Sequence, residues 1–435
     1  MSLWWSLTDH PKFEGASLDQ QWDVVIVGGG FSGLWTAHHL LSHDSHLKIA
    51  VIEQSTVGSG ASGRNGGWAS ALYPIDDAKM LKHFSQEIID SLHHQLRSSI
   101  DEIGAFATKE KIDCDFHKGG SLVVARNGGQ LERLKNSLEE GSTFLDAQET
   151  QSRIRMNGAL GSSFTPDCAA INPATLIVGL AMSLERRGVS IVENTRAEFS
   201  KDGKVYVGDK RIKAKAVVRA IEAYHANSRE QLPIYSLMVA TEPLPDHIFE
   251  EIGIHNRETF AEGAHLVTYA QRTAENRLAI GGRGAPYIWG SRRRDSNELV
   301  KDIHEQLRIM SRTWFPALRE FEFTHAWGGA VAVTRDWAAY VRFDGSYGEL
   351  GGYAGDGVTL SYLAAAAMAD LVTQKETIRT ALPFAQWRSP LWEREPLRWL
   401  GVNAAIKLSG ASDVEERITQ RPSVLMKLLA PITGQ

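Results

Sequence analysis

Val24-Val25-Ile26-Val27-Gly28-Gly29-Gly30-Phe31-Ser32-Gly33 is the stretch on which the fold turns. Four consecutive branched apolar residues read as a strand buried on both faces. The glycines end it, and a helical pattern from Phe31 to about Ser42 leads into a second apolar strand, Lys48 to Ile52. Trp22 to Glu53 is therefore a βαβ unit, with Gly28, Gly30 and Gly33 at G-x-G-x-x-G spacing in the strand-turn-helix context that the motif requires. Gly28 permits the tight turn, Gly30 lets main chain approach a pyrophosphate, and Gly33 lets helix and strand pack closely. Phe31 and Ser32 open the helix, whose free N–H groups attract the anion. Glu53, followed by Gln54, ends the second strand 20 residues after Gly33. A carboxylate there accepts hydrogen bonds from both ribose hydroxyls and repels a 2′-phosphate, which disfavours NADP. FAD and NAD present the same adenosine diphosphate, so this unit alone does not separate them.

Working outward, 435 residues exceed the ~150 typical of one domain and point to two. With 43% hydrophobic and 23% charged residues and a net charge of -5, the chain has an ordinary globular composition. The basic run Arg292-Arg293-Arg294 is diluted by Asp295 and Glu298 and reads as solvated loop, so no nucleic-acid partner is expected. Cys114 and Cys168 form no CxxC, which argues against a disulfide framework or thiolate metal site and fits a reducing cytoplasm. Asp9, His10, Lys12 and Glu14 interrupt any secretory signal. Apolar runs such as Tyr362 to Met368 fall short of the ~20 residues of a membrane span. His39, His43, Asp44 and His46 cluster at the end of the first helix, where a solvated terminus accounts for them without a metal. No GxSxG elbow of a serine hydrolase is present.

Asp77 to Phe106 carries apolar residues at helical spacing, as one or two amphipathic helices, and Phe116 to Ala125 reads as a strand or hairpin. Asn172-Pro173 starts a helix that runs to Gly188. Short strands follow at Ile191 to Glu193, Ala197 to Ser200, Val205 to Val207 and Ala216 to Ala220. Leu232 to Phe323 reads as a second, largely antiparallel domain with strands at Ser236 to Thr241, Leu266 to Tyr269 and Leu278 to Gly281 and a helix at Asn297 to Arg312. Gly351 to Gly357 opens an alanine-rich helix, Val358 to about Val372. The segment from Pro383 to Gln435 is rich in Trp and Pro and reads as a helical tail; its mixed charge disfavours an anionic-membrane anchor.

Beyond Glu53, Val57 to Gly67 reads Val-Gly-Ser-Gly-Ala-Ser-Gly-Arg-Asn-Gly-Gly, too glycine-rich for a packed element and suited to main chain laid against a flat ligand. With Trp327-Gly328-Gly329 and Gly351-Gly352-Tyr353-Ala354-Gly355-Asp356-Gly357-Val358, this run resembles the FAD-dependent D-amino-acid oxidase superfamily, most closely its γ-glutamylputrescine-oxidase-like branch. The resemblance spans about Trp22 to Leu382. It implies an α/β fold: a Rossmann-type, glutathione-reductase-like FAD domain in three pieces (20–82, 165–230, 325–382). A mainly antiparallel substrate domain (83–164, 231–324) and a helical tail (383–435) complete it.

It also implies that Gly60, Ala61, Ser62, Arg64 and Asn65 line the pyrophosphate and ribityl region, that Gly66 and Gly67 approach the isoalloxazine, and that Ala197 and Ala220 contact FAD by main chain. Gly328, Gly352, Gly355, Asp356, Gly357, Val358 and Thr359 complete the expected cofactor set. The helix opening near Gly357 would stabilise negative charge at the flavin N1/C2=O edge. No His or Cys occupies Gly60 to Gly67 or Gly351 to Gly357, so the FAD is expected to be non-covalent. Ile221-Glu222-Ala223, after Ala220, departs from the pattern, standing where relatives carry Thr or Gly followed by Asn-Ala, and the carboxylate puts that FAD contact in doubt.

The chemistry implied is removal of hydride from an amine-bearing carbon to flavin N5, giving an imine that hydrolyses, with oxygen or another acceptor reoxidising the flavin. Tyr269, Tyr287, Trp289 and Trp327 are candidate aromatic walls that would keep the amine neutral. Val331 stands where amino-acid-oxidising relatives carry a carboxylate-clamping arginine, which favours an amine; Arg283 or Arg335 offers a clamp from elsewhere. Asp356 could orient an ammonium group or cap its helix. Trp327, Asp356, Tyr269 and Arg283 are thus the catalytic candidates. A glycine or D-amino-acid oxidase, an accessory flavoprotein and an NAD-dependent oxidoreductase are the alternatives; the last lacks a second dinucleotide fingerprint.

Overall fold

The computed structural model describes residues 1–138, 140–200, 202–225 and 229–427, the Arg283 side chain excepted. Trp22–Val27 lies in the middle of a six-stranded sheet, flanked by Ile49–Ile52 on one side and Ala214–Arg219 on the other, both parallel to it. Ser190–Val192 extends the first side, and Tyr347–Gly351 with its antiparallel partner Tyr340–Phe343 extends the second. The chain therefore leaves the central strand in both directions, and the crevice beyond the carboxyl ends of these strands is where such sheets bind ligands. Helices Phe31–His43, Pro173–Arg186, Gly357–Val372 and Gln86–Lys109 bury apolar faces in one core with this sheet.

The turn after Val27 has the tight geometry expected of the fingerprint. Gly28 sits at φ +116°, and a Cβ there would lie 2.3 Å from the Ala220 carbonyl oxygen. A Cβ on Gly33 would lie 2.0 Å from the Gly28 oxygen, so helix and strand meet only because the side chain is absent. Asn172 caps the helix that Pro173 begins, its Oδ1 accepting from the Ala174 and Thr175 N–H groups.

The second sheet has eight strands in the order Phe323–Thr334, Gln231–Thr241, Leu278–Arg283, Thr268–Arg272, Thr259–Glu262, Ser121–Ala125, Gly161–Thr165 and Thr143–Leu145. All its pairings are antiparallel except Thr259–Glu262 with Ser121–Ala125. Helix Lys301–Trp314 covers one face of it. Phe323–Thr334 pairs along most of its length with Gln231–Thr241, so the chain joins the six-stranded sheet only after Thr334, later than the expected 325. The tail carries one long helix, Leu397–Thr419.

Candidate active site

Between the two sheets lies a cavity of about 1640 Å³ that reaches the carboxyl ends of the central strands. Gly28, Gly30, Phe31 and Ser32 line one end with Glu53, Gln54, Ala197 and Ala220. The Glu53 carboxylate is fixed by the N–H groups of Gly29 (2.7 Å) and Ser55 (2.8 Å), while burial pushes its pKa up. Ser62 Oγ accepts from the Phe31 N–H at 3.0 Å, and a Cβ on Gly30 would come within 2.9 Å of that oxygen. The second glycine run thus folds over the first turn of the fingerprint helix.

Gly60, Ala61, Ser62, Arg64, Asn65 and Gly66 form the next part of the wall. Two polar side chains of the run hold it in shape. Asn65 donates to the carbonyls of Ala61 and Ser62 and accepts from the Gly67 N–H, while Arg64 binds Glu298 (2.6 Å) and the Gly328 carbonyl (3.3 Å). Behind the run, the indoles of Trp4 and Trp327 donate to the carbonyls of Asn65 (2.8 Å) and Arg64 (2.9 Å). Gln271 donates to the carbonyls of Gly66 and Gly67. Rigid main chain, buttressed from the far side, is what the cavity meets.

The opposite wall is Ala354-Gly355-Asp356-Gly357-Val358, where helix Gly357–Val372 begins. Its first-turn N–H groups carry the positive end of a 16-residue dipole. The Asp356 side chain makes no capping hydrogen bond, which removes the capping alternative, and it lines the cavity. Tyr353 OH bonds to Ser32 Oγ at 2.9 Å, joining this loop to the fingerprint helix. Glu222, at φ +39°, turns its carboxyl toward the Tyr353 N–H (3.4 Å); burial, opposed by N–H groups of Tyr353, Ala332 and Ala223, pushes its pKa up to about 7. Its carboxylate thus ties the end of strand Ala214–Arg219 to the loop.

Tyr269 is brought to the cavity as expected, its hydroxyl 2.8 Å from Ser236 Oγ and its ring edge-on to Trp68. Trp68 and Tyr73 also line it, and their Nε1 and hydroxyl are buried with no partner among the described residues. Sequence reasoning passed over both, although Trp68 directly follows the glycine run. Val331 lines the cavity where the resemblance offered an arginine.

Other candidates fall elsewhere. Trp327 is buried against Leu3, Trp4 and Met238, shielded from the cavity by the Arg64 segment, and is a buttress. Gly33, Gly67, Gly328, Gly352 and Thr359 sit one layer behind the lining residues. Thr359 Oγ1 is buried without a partner among the described residues. Arg283 closes its strand opposite Ser236, and its side chain lies outside the described residues. Arg335 is paired with Glu393 at 3.0 Å over the Trp392 ring, away from the cavity. Tyr287 and Trp289 lie beside Glu395 at the start of the tail helix. His43 is not solvated: it pairs with buried Asp370 at 3.3 Å, and burial lowers the pKa of His39.

This is the architecture of a dinucleotide-dependent oxidoreductase: the glycine fingerprint and Glu53 at one end of the cavity, and main chain of two glycine-rich segments with aromatic side chains at the other. The chain matches the family of FAD dependent oxidoreductases (DAO) over residues 23–371 and belongs to it. It is 27% identical over 367 residues to gamma-glutamylputrescine oxidoreductase of Escherichia coli K12, covering 80% of this chain and 83% of that protein. It is 28% identical to the probable oxidoreductase OrdL of Rhizobium meliloti, covering 86% and 89%. The crystal structure of glycine oxidase from Geobacillus kaustophilus superposes with a TM-score of 0.70 at 22% identity, over 85% of this chain and 99% of that one. The cofactor of the family is FAD, and the similar proteins named for an amine or amino-acid donor include the gamma-glutamylputrescine oxidoreductase and a glycine oxidase. The donor set fits FAD: glycines that leave no room for Cβ, a ribose-side carboxylate, and a helix N-terminus facing a cavity wall of main chain.

Proposed function

We propose that this chain oxidises the C–N bond of a primary or secondary amine, with FAD held non-covalently in the cavity. When bound, FAD takes up the hydride from the nitrogen-bearing carbon, and the resulting imine hydrolyses in water. In this reading Gly28, Gly30 and the first turn at Phe31 and Ser32 hold the pyrophosphate, Glu53 the ribose and Ala197 the adenine edge. Gly60 to Gly66 and Ala354 to Val358 border the ring, and the N-terminus of Gly357–Val372 balances the negative charge that reduction brings. The FAD unit is drawn from residues 20–82, 165–230 and the stretch from Thr334 to 382, with the eight-stranded sheet shaping the amine side.

One observation carries the substrate class: the cavity has aromatic walls at Trp68, Tyr73 and Tyr269, with Val331 at the position where the resemblance offered an arginine. Such walls desolvate an ammonium group and favour its neutral form, the only form that releases hydride, without a dedicated base. Asp356 is suited to orient the ammonium on arrival. The buried, unpaired Cys114 and Cys168 fit a reducing compartment such as the cytoplasm. Anaerobic titration with polyamines, N-methyl amino acids and D-amino acids tests the reading: an amine should bleach the flavin, and peroxide on admission of air would mark an oxidase. A flavin bleached only by α-amino acids refutes the amine assignment.

A further inference from the structure

The tail helix Leu397–Thr419 buries only part of its apolar surface. The side it turns to the protein is mixed: Val402 and Ile406 pack on Leu232 and Tyr287, Glu416 binds Arg133 (2.6 Å) and His265 (2.9 Å), Asp413 accepts from the His265 and Leu266 N–H groups, and Asn403 accepts from the Tyr287 N–H. The side it turns outward is apolar, with Leu397 66%, Leu400 53%, Val414 47% and Ile418 76% exposed and Ala404 and Ala411 between them. Trp289, Trp399 and Val424 are exposed as well. A surface helix ordinarily buries such a stripe.

The charges are sorted in the same sense. Between residues 388 and 427 the most exposed charged residues are Arg388, Arg394, Lys407, Arg417, Arg421 and Lys427, all cations. Of the acids of this segment, Glu416 is buried and Glu395 and Asp413 are held on partners, while Glu393 stays 43% exposed beside Arg335 and Glu415 binds Ser423, Val424 and Leu425 at the surface. The mixed charge read from composition thus resolves into an apolar stripe whose most exposed charged neighbours are cations, on a chain whose net charge is -5.

We propose that this face docks on an anionic lipid bilayer, the helix lying in the interfacial plane with its leucines and tryptophans in the headgroup–acyl boundary. Apolar contact and basic flanks together are what such a surface recognises. A second copy of the chain fits less well. Two stripes packed antiparallel about the helix midpoint would set the two Lys407 ammonium groups against each other. The same helix, through Glu416 on its opposite side, holds Arg133 of the cavity lining.

The test is flotation of the FAD-loaded full chain with vesicles of equal phosphatidylglycerol and phosphatidylcholine, against vesicles of phosphatidylcholine alone. Binding to the anionic vesicles, weaker on neutral ones and released by salt, supports the proposal. The double variant Leu400→Asp/Val414→Asp should lower the partition at least ~10-fold through lost apolar burial. Lys407→Glu/Arg417→Glu/Arg421→Glu should lower it ~100-fold or more, since each basic residue near an anionic surface contributes about fivefold. All five positions are exposed, and an unchanged flavin spectrum reports that each variant is folded. No binding, equal binding to both vesicle types, or insensitivity to either variant overturns it. A dimer in sedimentation velocity that Leu400→Asp/Val414→Asp converts to monomer, without vesicle binding, assigns the face to a second copy instead.

Discussion

Replacing Glu222 with glutamine keeps the shape of the side chain and one carbonyl acceptor for the Tyr353 N–H, but removes the proton equilibrium. In the folded chain burial raises the carboxyl from its ordinary 4.5 to about 7, with no ion pair among the contributing interactions. The folded state therefore binds more protons than the unfolded state between these two values, and stability falls as pH rises through that window. At about 1.4 kcal/mol per tenfold in proton affinity, wild type loses up to about 3 kcal/mol that the variant retains. An unfolding entropy of about 0.9 kcal/mol/K for a chain of this length makes this an advantage in Tm of about 3 °C for Glu222→Gln at about pH 8, vanishing near pH 4.5. Paired melts of wild type and variant across that range, with FAD saturating, give the difference directly. A difference that does not change with pH, or a variant that becomes the less stable partner on the alkaline side, would refute the idea of a buried carboxyl held partly protonated against the loop.

Gly33→Ala should cost about 1–3 kcal/mol or more, because its Cβ would press on the Gly28 oxygen, and the flavin-to-protein absorbance ratio of the purified variant should fall well below that of wild type. Glu53→Gln should weaken FAD binding by about tenfold, the loss of one charge-assisted hydrogen-bond acceptor, as read by flavin fluorescence on dilution; unaltered affinity would remove Glu53 from the ribose site. Burial pushes the thiols of Cys114 and Cys168 up to about 12. A thiol reagent at neutral pH should therefore find no reactive cysteine in the native chain and two in denaturant.

How much of this was legible in sequence follows from the range of the forces involved. The βαβ unit was legible because its signals are local: strand Trp22–Val27 and helix Phe31–His43 lie within a few residues of where the apolar period and the glycines put them. The chamber walls were less so. Trp327, Gly329 and Val331 alternate onto one face of a strand, yet only the last two meet the cavity, because the Arg64 segment lies across the first. That covering is a contact between residues more than two hundred positions apart, which the Trp-Gly-Gly pattern does not encode. Trp68 and Tyr73 were hidden for the same reason, their orphaned polar atoms being visible only once the sheets are apposed.

Glu222 put a cofactor contact in doubt because a carboxylate stands where the resemblance offers Asn. The left-handed turn at φ +39° instead directs its carboxyl away, onto the Tyr353 N–H. The tail shows the limit from the other side. The spacing of Leu397, Leu400, Ala404, Ala411, Val414 and Ile418 already defines a stripe, and the 3.6-residue period already separates Glu416 from Lys407. Which side faces the protein depends on Val402 and Ile406 packed on Leu232 and, at the other end, on Arg133 and His265, distant residues that satisfy the buried carboxylate of Glu416, since a buried charge without such partners would be expelled. Arg133→Met should therefore loosen the Glu416 end of the helix alone, seen as faster amide exchange around Glu416 than around Val402; equal exchange at the two ends would show that Arg133 does not anchor it.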